Sequence, residues 1–230
     1  MLQGDEIVAY DGLMETNYLP YVVAIGASGA EGLNDIVDLL SAWPNDLQAV
    51  VMVVLHRSSD EISHLQQILS HRSALPIVVA KAAQVLLPNV CYIGEPNQAL
   101  SLSTERRAFL VEGTDNRLRN RTVDTLFASI ALHAGERAVG IVLSGALDDG
   151  SRGLAAIRAA GGLTMVLDPA HKPIGMQQNA IDYDGPIGFI GNGLAIAAAL
   201  ENALAHDGCK LQIEDLSTNR TALDTKIEAK

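Results

Sequence analysis

Apolar residues fall into two alternating textures along this chain. Short continuous runs occur as "YVVAIG" at 21–26, "AVVMVVL" at 49–55, "PIVVA" at 76–80, "AVGIVLSG" at 138–145, "LTMVLD" at 163–168 and "GPIGFIG" at 185–191. Runs of this length, rich in valine and isoleucine, suit strands buried on both faces. Between them lie segments with helical spacing: 30–43 (Leu33, Ile36, Val37, Leu39, Leu40), 59–71 (Ile62, Leu65, Ile68, Leu69), 122–135 (Val123, Leu126, Phe127, Ile130), 149–162 and 194–205. Pro44 stops the first, Ser59 or Asp60 offers a cap for the second, and Gly161-Gly162 closes the fourth. From 84 to 112 the texture changes. "QVLLPNVCYIGEP", "ALSLS" and "RAFLVE" are short strand-like pieces that read as hairpins rather than as a strand-helix-strand unit. Strands alternating with helices predict an α/β doubly wound fold, a mainly parallel sheet with an antiparallel hairpin insertion. Residues 1–20 and 207–230 are polar and weakly patterned, and are expected to be tails around one domain over 21–206.

Composition narrows the chemistry. The 230 residues are 48% hydrophobic, enough for a substantial core. With 16 Lys and Arg against 27 Asp and Glu, the net charge of −11 argues against nucleic acid and anionic lipid as main partners. The two cysteines, Cys91 and Cys209, form neither a disulfide framework nor a metal pair, and Cys91 reads as a small buried hydrophobe in a reducing compartment. No apolar run reaches membrane-spanning length, and the N-terminus does not read as a signal peptide. A cytoplasmic protein without membrane insertion is expected.

In a parallel α/β sheet, ligands bind beyond the carboxyl ends of the strands. Ser28 follows the first strand, His56 the second, and Asp149 the strand at 138–145. Serine, histidine and aspartate at three such ends are the set for an activated nucleophile: the histidine takes the serine proton and the carboxylate orients the imidazole. Each residue also has a plainer reading. Ser28 and Asp149 could cap the helices that follow them, and His56 could be a surface residue. The string Gly26-Ala27-Ser28-Gly29-Ala30 approaches the G-x-S-x-G elbow but ends in alanine, which fits only with a negative φ. Phosphate-loop readings lack the required glycine at 28 and the lysine. His56, His64 and His71 do not form a zinc motif, and Asp148-Asp149 lacks further carboxylates for magnesium, so no metal or cofactor is expected.

Several separated strings resemble one family, the catalytic domain of the chemotaxis receptor methylesterase (CheB-type protein-glutamate methylesterase). They are "VVAIGASGAEGL", "VVLHRSS", "LPNVCYIGEPNQALSL", "RTVDTLFASIA", "GIVLSGALDDGSRGLAAIRAAGG" and "GMQQNAI", in family order over about 21–204. The resemblance implies Ser28 as nucleophile, His56 as general base and acid, and Asp149 as the orienting carboxylate. It also implies oxyanion support from the backbone at Gly29 and Ala146. The reaction implied is hydrolysis of glutamyl methyl esters on cytoplasmic helices of chemoreceptors, with glutamine deamidation as a secondary activity. A weakened relative that binds signalling proteins through the same cleft is the alternative. The chain departs from the family at Ala30-Glu31, where paired glycines are usual, at Ala146-Leu147 in place of Met-Gly, and at Gln177 in place of proline. No receiver domain is expected ahead of the first strand.

Overall fold

The valine-rich runs form strands because β-branched side chains pack well on a pleated surface covered from both sides. In the computed structural model, which describes residues 20–56, 64–94, 98–112, 121–170, 172–183 and 187–205, they are Tyr21–Ser28 (β1), Ala49–His56 (β2), Ile77–Val79 (β3), Val90–Ile93 (β4), Ala138–Val142 (β7), Leu163–Leu167 (β8) and Phe189–Gly191 (β9). These seven pair in the order β3-β4-β2-β1-β7-β8-β9, every pair parallel. Gln98–Leu102 (β5) and Ala108–Glu112 (β6) form a separate antiparallel ribbon.

The hairpin expectation for 84–112 needs one correction. β5 and β6 do form a hairpin, but β4 enters the parallel sheet between β3 and β2. Its apolar run "VCYI" is short, yet Cys91, Tyr92 and Ile93 are all buried, as a strand covered on both faces requires. Burial in this apolar strand pushes the Cys91 thiol well above the usual range, in keeping with a packing role.

The helices are Gly29–Ser41 (α1), Leu65–Ser70 (α2), Thr122–Ala134 (α3), Ser151–Ala159 (α4), Met176–Tyr183 (α5) and Gly193–Ala205 (α6). The cap expected at Ser59 or Asp60, and the inward Ile62, lie outside the described residues. Within α2, Leu65 and Leu69 are buried, but Ile68 is 43% exposed and leaves the expected apolar face. Gly161-Gly162 closes α4 as anticipated: Gly161 takes φ +83°, its N–H reaches Arg158 O, and Gly162 N–H reaches Ile157 O, a Schellman pair.

The core has two layers, one on each sheet face. Odd-numbered residues of β1 and β2 (Val23, Ile25, Ala27, Val51, Val53, Leu55) pack with α1 and α6. Even-numbered ones (Val22, Ala24, Val50, Met52, Val54) pack with α3 and α4. The ribbon adds Leu100, Leu102 and Ala108 to the second layer, and Leu102 N–H bonds Ser129 Oγ on α3. Successive strands spread to one side of β1 through β2, and to the other through β7. The boundary between β1 and β7 is therefore the switch point, where such sheets open a crevice.

Candidate active site

Ser28 ends β1 and His56 ends β2, and the two are register partners. Side chains alternate between faces along a strand. Position 28 continues the even series of β1 and position 56 that of β2, so both side chains belong to the face covered by α3 and α4. Ser28 is extended, with φ −143° and ψ 140°, and stands at the N-cap of α1 without making a side-chain cap bond. The hydroxyl is thus not spent on the helix. The sharp turn falls on Gly29, at φ +70°. Ala30 is already helical and is not among the positive-φ residues, so replacing an elbow glycine there does not strain the turn. Glu31 is exposed in the first turn of α1, where a negative charge suits the helix dipole.

His56 Nε2 lies 2.8 Å from Asp149 Oδ2 and 2.7 Å from Thr122 Oγ1. Asp149 is 1% exposed and does not cap its own helix, whose N-cap is Gly150. Its carboxylate instead accepts Val123 N–H at Oδ2 and Asp124 N–H at Oδ1, each at 2.8 Å, at the start of α3. Asp124 reciprocates: its Oδ1 accepts Gly150 N–H at 3.0 Å and Gly153 N–H at 2.8 Å at the start of α4. Asp149, in the loop just ahead of α4, thus caps α3, and Asp124 of α3 caps α4, so both N-termini face carboxylates. Gly26 makes this approach possible, because a β-carbon there would sit 2.2 Å from Val123 Cγ1. A carboxylate against Nε2 favours the tautomer with hydrogen on that nitrogen, and leaves the lone pair on Nδ1. Thr122→Val is expected to lower turnover about tenfold by loosening the ring, with Thr122→Ser restoring most of it in a steady-state assay.

The loop after β7 closes the site from the other side. Ser28 N–H bonds Ser144 O at 3.0 Å. Gly145 lies so close that a β-carbon there would meet Ser28 Cβ at 2.7 Å and Met176 Sδ at 2.3 Å. Gly32 is equally confined, since its β-carbon would fall 2.6 Å from Ser144 O. The carbonyls on either side of Ala146 are tied to α5, Gly145 O to Met176 N–H at 2.8 Å and Leu147 O to Asn179 Nδ2 at 2.6 Å. Asp35, 8% exposed, accepts Ser144 N–H at 3.2 Å and pairs with Lys172 Nζ at 3.1 Å. Among the described residues neither Gly29 N–H nor Ala146 N–H has an acceptor. A methyl group on Gly175 would come within 1.9 Å of Gly145 O, a backbone atom that cannot rotate away. Gly175→Ala is therefore expected to displace this loop and lower kcat/KM on the order of 100-fold, with kcat carrying the loss.

Sequence reasoning located Ser28, His56 and Asp149 at neighbouring strand ends, and the structure brings His56 and Asp149 into contact. It missed Thr122, Asp124, Asp35 and Lys172. A signal existed for two of them: Asp124 follows Thr122 at the polar start of an apolar helix, and Asp35 is an acid next to the apolar positions of α1. His64 and His71 do not meet as a pair of ligands; each bonds Gln67, His64 through the side chain and His71 through the carbonyl.

A model of the CheB methylesterase family matches residues 23–200. The protein-glutamate methylesterase/protein-glutamine glutaminase 2 of Xanthomonas oryzae pv. oryzae is 35% identical over 152 residues, covering 65% of this chain and 42% of that protein. The protein of that name numbered 5 from Anaeromyxobacter dehalogenans is 31% identical over 175 residues, 74% of this chain and 47% of its own. The chain thus spans less than half the length of these relatives. Its fold is that of the CheB methylesterase catalytic domain of Thermotoga maritima, with a TM-score of 0.72 at 21% identity over 81% of this chain and 100% of that one. With the family model matching residues 23–200, most of its length, this chain belongs to the CheB methylesterase family.

Proposed function

We propose that this chain is a serine esterase that hydrolyses glutamyl methyl esters on cytoplasmic helices of chemoreceptors, releasing glutamate and methanol. The observation that carries the reading is the register of Ser28 with His56 on one sheet face, with His56 held by Asp149. His56 Nδ1 takes the Ser28 proton as Oγ attacks the ester carbonyl. The tetrahedral oxyanion draws on the N–H groups of Gly29 and Ala146, where one such donor contributes about 3 kcal/mol. His56 then protonates the departing methoxide, and methanol leaves. A water molecule activated by the same nitrogen hydrolyses the acyl-enzyme and frees Ser28. The relatives' second named activity, on protein glutamine, requires expulsion of ammonia. It is assigned to the same residues as the slower reaction.

Methanol release from methyl-esterified receptor fragments tests the reading. The wild-type chain is expected to release methanol and Ser28→Ala is not. Equal release from both, or none from the wild type, overturns it.

A further inference from the structure

Leu147 adopts a backbone conformation that leucine rarely takes, with φ +69°. In this left-handed region the β-carbon crowds the following carbonyl, so glycine and asparagine are the usual occupants. Its side chain is 64% exposed, so core packing does not offset the strain. The turn itself is imposed by the neighbouring bonds, Met176 N–H to Gly145 O at 2.8 Å and Asn179 Nδ2 to Leu147 O at 2.6 Å. A large apolar side chain is thus held in water one residue from Ala146. Ile174, 86% exposed, lies on the segment bonded to this loop, two residues before Met176. Of the charged groups nearby, Arg121 lies between two carboxylates, 3.1 Å from Asp124 and 3.8 Å from Asp148, and Lys172 pairs with Asp35 at 3.1 Å. Two exposed apolar side chains thus stand beside these ion pairs.

We infer that Leu147, seconded by Ile174, is a specificity-determining residue that docks apolar side chains flanking the ester on a helical protein substrate. The inference rests on the esterase reading for what occupies the site. A substrate segment with polar flanks would leave Leu147 and Ile174 in water. A segment with leucine or alanine beside the esterified glutamate removes apolar surface on both partners from water.

Two peptides test this, each carrying one glutamate γ-methyl ester, flanked in one by leucine and alanine and in the other by serine and glutamine. They are titrated by fluorescence anisotropy against the full chain bearing Ser28→Ala, so that the ester survives. The apolar-flanked peptide is expected to bind about tenfold tighter. Adding Leu147→Gly, or separately Leu147→Asn, is expected to erase most of that preference. Both replacements are at ease at positive φ, so the variants should melt at or above the parent temperature. A preference that survives both substitutions overturns the inference, as does the absence of any preference in the parent. Methanol release by the wild-type chain is measured separately. Its failure would sink the esterase reading, whereas the ratio of the two dissociation constants reports on the rim alone.

Discussion

Ser28→Ala is expected to lower methanol release about 10⁵-fold and to leave the melting temperature within about 2 °C of the wild type. The two halves of this result come from the same geometry. The hydroxyl makes no cap bond to α1, so its removal orphans no helix N–H. The β-carbon, which abuts Gly145, is retained by alanine. A serine that truly capped the helix would cost about 0.5–2 kcal/mol when replaced, which a domain of this size shows as a drop of several degrees. The plainer reading of Ser28 thus predicts a stability loss and an unchanged rate, the reverse of the expectation here. Residual hydrolysis should remain above that in water if the proposed donors at Gly29 and Ala146 polarise the carbonyl. Initial rates and a thermal melt on one preparation separate the two readings. A rate loss under tenfold together with a fall of several degrees would retire Ser28 as nucleophile.

What could be read before the structure divides along a physical line. Strand and helix existence follows from local periodicity, and β1, β2, β7 and α1, α3, α4 fall close to their expected spans. The strand-end positions of Ser28, His56 and Asp149 follow from the same pattern, because parallel strands deliver their carboxyl ends to one edge. Pairing is non-local and was less legible. β4 joins the parallel sheet although its flanking turns resemble those of a hairpin. The crossed caps were hidden for a related reason. Asp149 follows β7 and stands beside α4, so sequence proximity points to that helix, whereas its carboxylate serves α3, 25 residues earlier at Asp124. The glycines carry a similar lesson. Gly145, Gly175 and Gly32 are required by approaches between segments far apart in sequence, and a single sequence shows only that they are glycine. Ala30 fits the elbow's last position because Gly29, one residue earlier, takes the left-handed turn.

The crossed caps and the contact with His56 give Asp149 a structural role beside its proposed catalytic one, and two substitutions separate them. Asp149→Asn retains one oxygen as an acceptor for the start of α3 and puts an amide N–H₂ where the second oxygen was. That group cannot accept from His56 Nε2–H, so the imidazole turns to the tautomer with hydrogen on Nδ1, the nitrogen needed as base. Methanol release is expected to fall about 10⁴-fold, with a small decrease in melting temperature. Asp149→Ala is expected to give a comparable rate loss, and it also leaves Val123 N–H and Asp124 N–H without their buried acceptor and His56 Nε2 with Thr122 Oγ1 alone. At about 3 kcal/mol for breaking such a buried charged group, the melting temperature should fall by about 6–12 °C. Asp124, whose carboxylate bonds Gly150 and Gly153 but not His56, supplies the control. Asp124→Ala should destabilise the same pair of helix ends while retaining far more activity than either Asp149 variant. If Asp124→Ala and Asp149→Ala instead lose activity and stability in equal measure, Asp149 acts by holding α3 and α4 together, and its contact with His56 contributes nothing separate to the chemistry.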